Sequence, residues 1–221
     1  MNFRSTSQSP TTGPIARLRR YAPKSQPARE RCELCGLGLG SDHQHLIEPA
    51  TRSLLCTCEA CSLLFTSKPG TKLRRVPRRG RFLPNFRLSE SQWNGLQIPI
   101  ELVFFFHGTP VDRMIAMYPS PAGATESLLP LELWDEIVRE NQVLSELTPD
   151  VEALLVNRVG AERGVPCQYF IAPIDECYRL AGLIRMHWRG LSGGTEVWRE
   201  IAGFFSALKE RSEIVAESVH A

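Results

Sequence analysis

Residues 31–65 read RCELCGLGLGSDHQHLIEPATRSLLCTCEACSLLF, and they hold five of the chain's seven cysteines and two of its five histidines. In CELCG, Cys32 and Cys35 stand two residues apart, a spacing that lets both sulfurs face one ion. Gly36 permits the tight turn that aims backbone N–H groups at thiolates. Cys58 and Cys61 repeat the spacing after 22 intervening residues, close to the usual range of paired C-x₂-C metal sites. The predicted tetrahedron is Cys32, Cys35, Cys58 and Cys61.

Three further candidates surround it. If LLCTC runs as a strand, Cys56 and Cys58 point to one face. Cys56 then sits beside the ion as a small buried hydrophobe, replaces Cys58, or joins a cluster. His43 and His45 also lie two apart. His45 precedes the apolar Leu46-Ile47 and is the first histidine expected to turn inward, as a ligand or as a donor to a thiolate. His43 stands behind it, and a solvated loop is the alternative for both.

Four thiolates suit zinc, and they also suit iron as a single rubredoxin-like ion or an iron–sulfur cluster. The second pair lacks the glycine that would give the site a two-fold look, and Phe65 is the module's one aromatic shield. Both points favour zinc. A closed four-thiolate zinc has no open coordination position and is structural. A segment this short is expected to need its metal to fold.

Outward from the module, residues 1–30 are rich in Ser, Thr, Pro and Arg and read as a disordered basic tail. Residues 67–92 read as a basic linker, with eight Lys/Arg between Lys68 and Arg87 and no acidic residue among them. Residues 93–212 have the texture of a packed domain, and 213–221 form a tail. Within the packed domain IPIELVFFFH and RMIAMYP read as strands joined by the turn GTPVD. LPLELWDEIVREN is a helix with Leu131, Trp134, Ile137 and Val138 on one face. VEALLVNRV and CQYFIAPI form a second strand pair. Two helices follow, one with Cys177, Leu180, Ile184 and His187 or Trp188 along a stripe, the other capped by Thr195 with Val197, Ile201, Phe204, Phe205 and Leu208 inward. The order β-β-α-β-β-α-α predicts an α+β fold: a small zinc-ribbon-like module followed by an antiparallel sheet with helices on one face.

Residues 1–92 hold 16 Lys/Arg against 6 Asp/Glu, and the rest hold 10 against 18. Such halves have separate partners or attract each other. A basic segment beside a zinc ribbon also admits a nucleic-acid reading, but it has only Phe82 and Phe86 for stacking, and the acidic half would repel a duplex. No apolar run has the length of a membrane span, and no signal peptide is visible. Clustered cysteines without a leader place the expected location in the cytoplasm.

No catalytic constellation stands out. His107 ends a strand beside a turn, Asp175 reads as an acid favoured at a helix N-terminus, and Cys177 falls on a buried stripe. The glycines of WRGLSGGTEVW read as a helix–helix turn.

Four blocks in order, CELCG, HQHLIEPATRSLLCTCEACSLLF, WNGLQIPIELVFFF and APIDECYRLAGLIRMHWRGLSGGTEVWREIAGFF, resemble the uncharacterised family Domain of Unknown Function 5947. The resemblance implies an accessory role beside high-affinity nickel–iron hydrogenases, in assembly, maturation or electron transfer. It brings no catalytic residues, and it implies that the His-x-His pair and CTCEAC belong to the family pattern. The expected protein is a non-enzymatic, metal-binding accessory that meets a hydrogenase subunit or another accessory protein. An iron electron carrier and a zinc-ribbon nucleic-acid binder are the alternatives.

Overall fold

The computed structural model describes residues 30–67, 70–127, 133–190 and 193–215. Most of the expected basic tail, the C-terminal residues beyond 215 and the helix-face residue Leu131 lie outside them.

The cysteine stretch forms a hairpin, β1 (Gln44–Glu48) and β2 (Ser53–Thr57), followed by helix α1 (Glu59–Thr66). A third strand, β3 (Arg74–Arg75), adds to β1 and completes a sheet in the order β2-β1-β3. Gln44 secures that edge by donating from Nε2 to the Val76 carbonyl at 2.6 Å. The stretch expected to be a linker thus contributes secondary structure to both sheets. After β3 it supplies β4 (Arg81–Phe82), then helix α2 (Glu90–Leu96), which starts on a capping box between Ser89 and Gln92.

The larger sheet is built from β4, β5 (Leu102–Gly108), β6 (Arg113–Ser120), β7 (Gly123–Glu126), β8 (Glu152–Asn157), β9 (Gln168–Pro173) and β10 (Glu213–Ile214). Its order is β10-β4-β9-β8-β5-β6-β7. All neighbours are antiparallel except β10 and β4, which run parallel. Helix α3 (Trp134–Glu140) lies between β7 and β8, and α4 (Ile174–His187) and α5 (Gly194–Arg211) follow β9. The α+β class, the antiparallel sheet and the run β-β-α-β-β-α-α stand, with β7 as an added strand where a loop was expected.

Register explains why the central strands read as unbroken apolar runs. Phe104 pairs with Leu155 and Leu155 with Phe170, so these three form a row on one face. Phe105, Leu154 and Ile171 form the matching row on the other. Opposite residues share a face while successive ones alternate, so a strand buried on both sides has no polar phase. The first face packs on Cys177, Leu180 and Ile184 of α4 and on Val197, Ile201, Phe204 and Phe205 of α5. The second packs on Trp93 and Leu96 of α2 and Trp134 and Ile137 of α3. The expectation of helices on one face is therefore corrected to helices on both: α2 and α3 each carry enough aromatic surface to close the second side.

Helix α5 begins at Gly194, so Thr195 lies in its first turn and does not cap it. The cap is Gly193 at φ 83°, a left-handed conformation that favours glycine. A Cβ there would stand 2.8 Å from Val197.

Charge attraction between the halves is visible residue by residue. Arg74 lies 3.2 Å from Asp150, Arg79 3.5 Å from Glu213 and Arg81 2.6 Å from Glu146. Two further pairs stay within the basic half, Arg78 with Asp42 at 3.1 Å and Arg75 with Glu59. Ile47 and Val76 from the small sheet are buried in the same apolar cluster as Phe104 and Phe170, so the small sheet packs directly on the larger one.

Candidate metal centre

The first pair of cysteines sits on a turn before β1. The Gly36 N–H donates to the Cys32 carbonyl at 2.7 Å, and Gly36 takes φ 77°, which closes the knuckle. The second pair comes from a different device. The chain leaves β2 at Thr57, and Cys58 becomes the N-cap of α1, its sulfur accepting the Cys61 N–H at 3.4 Å. A helix start performs here what the glycine of a second knuckle would perform, and this accounts for the missing glycine in CEACS. The module is compatible with a zinc-ribbon-like one in its paired cysteines, with a helix carrying the second pair.

The four sulfurs of Cys32, Cys35, Cys58 and Cys61 lie within 4.8 Å of one another, and these residues could hold a metal ion. Cys35 and Cys58 are 3.8 Å apart. A tetrahedron with metal–sulfur bonds of about 2.3 Å has an edge of about 3.8 Å, so the donor set fits a tetrahedral thiolate ion such as zinc. Cys32, Cys58 and Cys61 are buried while Cys35 is exposed. Among the described residues, the apolar side chains packed around them are Leu34 and Leu39.

The protonation of the cage follows its geometry. Burial raises the Cys32 thiol, but N–H groups from Cys58, Leu34 and Cys35 aimed at its sulfur outweigh this and bring it down to about 6. Burial, then the neighbouring Cys58, Cys35 and Cys32 sulfurs, push Cys61 up to about 12. Four thiolates cannot share so small a volume without a cation. A metal would complete the ionisation, releasing protons as it binds.

The remaining predicted ligands do not join this cage. His43, His45 and Cys56 come together in a group of their own, each offering a ligand atom within 4.8 Å of the others. Because the strand ends at Thr57 and the chain turns into α1, Cys56 stays on the hairpin face with the histidines. His45 Nδ1 meets Asp175 Oδ2 at 2.7 Å, which raises the imidazole above its ordinary range. Burial, then the Glu30 and Glu33 carboxylates, raise the Cys56 thiol. Asp175 is the residue whose part was missed. It does stand at the start of α4, but its partner lies 130 residues earlier, and no local signal reports that.

His107 lies 3.4 Å from Asp112 across its turn. Cys177 is fully buried in the main core, and burial drives its thiol far up, as expected of a core residue. Of WRGLSGGTEVW, Arg189 and Gly193 pair in an isolated bridge between the two helices, and Gly194–Trp198 already belong to α5.

Fold and site define a mixed α+β protein with a four-cysteine centre able to bind metal. The chain belongs to the family of unknown function DUF5947, whose family model matches residues 31–212. No match was found among curated proteins, and none among solved structures.

Proposed function

We propose that the protein is a non-enzymatic accessory factor whose four-cysteine centre holds a structural zinc ion and presents a surface to a protein partner. The convergence of four sulfurs from two segments carries this reading. A closed tetrathiolate has no free coordination position and serves to hold shape. The shape it holds includes exposed apolar side chains, namely Leu37 on the knuckle and Leu63, Leu64 and Phe65 on α1. Exposed apolar side chains grouped on so small a module are a mark of protein contact. The partner proposed is a subunit or maturation factor of a nickel–iron hydrogenase, in the cytoplasm. The family resemblance supports that choice. No helix among the described residues is long and apolar enough to cross a membrane.

Iron at the same thiolates, passing electrons, is the competing reading, and a nucleic-acid role is a third. The third is disfavoured because Arg74, Arg75, Arg78, Arg79 and Arg81 already face carboxylates.

Purification with and without air, followed by elemental analysis and an absorption spectrum, tests the metal. Colourless protein whose zinc falls on Cys32→Ser or Cys61→Ser supports the proposal, and a visible charge-transfer spectrum with iron overturns it. Deletion of the gene in a host that makes the hydrogenase tests the role. Hydrogenase should fail to mature, with rescue by wild type and not by Leu64→Asp with Phe65→Asp. Unimpaired maturation in the deletion strain refutes the accessory role.

A further inference from the structure

We propose that His43, His45 and Cys56 form a second metal site, separate from the four-cysteine cage, which binds a borderline-soft transition metal and leaves one coordination position open.

The hairpin places the three residues. His45 on β1 is paired directly with Cys56 on β2, and directly opposed residues share a face. His43 is two residues before His45, immediately ahead of β1. The imidazole rings meet edge to face, with centroids 4.7 Å apart and an angle of 63°.

Hydrogen bonding then selects the ligating atoms. A carbonyl oxygen only accepts, so His43 Nδ1, 2.9 Å from the Gly40 carbonyl, carries the proton. His43 Nε2 is left with a lone pair. That atom is buried and has no hydrogen-bond partner, in a side chain only 8% exposed. Ring packing accounts for the contact between the histidines, but it does not account for a buried acceptor left without a partner in a side chain grouped with a second imidazole and a thiol. A metal ion does. His45 donates from Nδ1 to Asp175, which likewise leaves its Nε2 free. Carboxylate, imidazole and metal in that order is the arrangement that fixes tautomer and ring angle at metal sites. The Cys56 backbone is held at both ends by Glu33, the first of the two residues between the knuckle cysteines: the Cys56 N–H donates to Glu33 Oε1 at 2.7 Å and its carbonyl accepts from the Glu33 N–H at 2.9 Å.

Two imidazoles and one thiolate suit zinc, cobalt, nickel or copper better than magnesium or calcium, which prefer oxygen. Three protein ligands leave room for water or a small ligand, the pattern of sites that do chemistry. With one thiolate the bound divalent ion keeps a net positive charge. Asp175 and Glu30 (the latter 3.5 Å from His43 Nδ1) stand at the Nδ1 sides of the two imidazoles and offset that charge.

The test is titration of the full chain, stripped of metal under reducing conditions, with Co²⁺ followed by absorbance and native mass spectrometry. Wild type should take up about two ions per chain, and Cys56→Ser and His43→Gln about one each while keeping the tetrathiolate bands. Asp175→Asn should keep both ions but weaken the second by about 10–100-fold, because the carboxylate acts through the imidazole. Wild type that binds one ion, or a His43→Gln protein that binds as many as wild type with equal affinity, overturns the proposal. Should Cys56→Ser lose both ions through misfolding, His43→Gln decides alone. Failure of the cage shows separately, as tetrathiolate bands missing from wild type while a His43-dependent ion remains.

Discussion

Arg52 and Glu126 meet at 2.8 Å across the boundary between the cysteine hairpin and the last strand of the larger sheet. Arg52 sits in the β1–β2 turn at φ 57°, and its guanidinium also lies over the Phe106 ring at 5.8 Å. Its hydrogen bond, together with Arg113 and against the effect of burial, holds the Glu126 carboxyl below the ordinary range. A carboxyl depressed in the folded state contributes stability that is fully present above its unfolded pKa and lost as pH falls through the folded one. Between about pH 5 and pH 3, wild type should therefore lose melting temperature faster than Glu126→Gln. Near neutral pH the substitution should cost on the order of 1 kcal/mol or less, since the pair is partly exposed. Calorimetry in stepped buffers measures both, and parallel slopes for the two proteins would refute the linkage.

Cys177 should behave as core. It packs among Leu180, Phe104 and Phe170 with no exposed surface, and burial keeps its thiol protonated. Alkylation of the metal-free, folded protein, read by peptide mass, should label Cys35, which is exposed, and leave Cys177 unmodified until denaturant is added. Cys177→Ser should cost about 1–3 kcal/mol by burying a hydroxyl in an apolar site, and Cys177→Ala less. Rapid labelling of Cys177 in native protein would mean that α4 opens readily.

How far the sequence carried these conclusions depended on how local each signal was. Central strands β5, β8 and β9 announce themselves by four or more consecutive buried residues, and α4 and α5 by 3.6-residue stripes that match their buried faces. Strands β3, β4 and β10 are two residues long and largely charged, so no periodicity marks them, and their pairing comes from the sheets they join. Helix α2 carried a readable signal in Ser89-x-x-Gln92, a capping box, hidden inside a segment read for its charge. The four cysteines of the cage were legible because C-x₂-C spacing is a local constraint. The separate grouping of His43, His45 and Cys56 required the hairpin register, and Asp175 required the tertiary fold.

Asp150 pins the basic segment to the larger sheet. It is buried at φ 67° and accepts from the Thr109 N–H at 2.8 Å and the Thr109 hydroxyl at 2.7 Å, with Arg74 at 3.2 Å. Asp150→Ala strips partners from all three donors and should destabilise by about 1–3 kcal/mol. Asp150→Asn keeps an acceptor and should cost less. Asp150→Gly relieves the left-handed backbone and should recover part of the alanine loss. Chemical denaturation of the three variants supplies the order, and equal losses across them would show that neither charge nor backbone matters there.

Metal removal should act regionally. Among the described residues, Leu34 and Leu39 are the apolar side chains packed against the cage, so the knuckle and α1 have little apolar burial with which to offset the entropy of ordering. The larger sheet is sandwiched between two apolar layers that make no use of the cage. Hydrogen exchange after chelation should show loss of protection from Cys32 through Thr66, strongest at the Cys61 and Ser62 amides of α1. Protection in β5, β8 and β9 should persist. The hairpin provides the finer distinction, because Ile47 is anchored in the large core and the backbone of β1 should hold longer than α1. Uniform loss across all strands would show that the metal stabilises the whole chain as one cooperative unit. No loss at α1 would show that the cage is not what holds that helix in place.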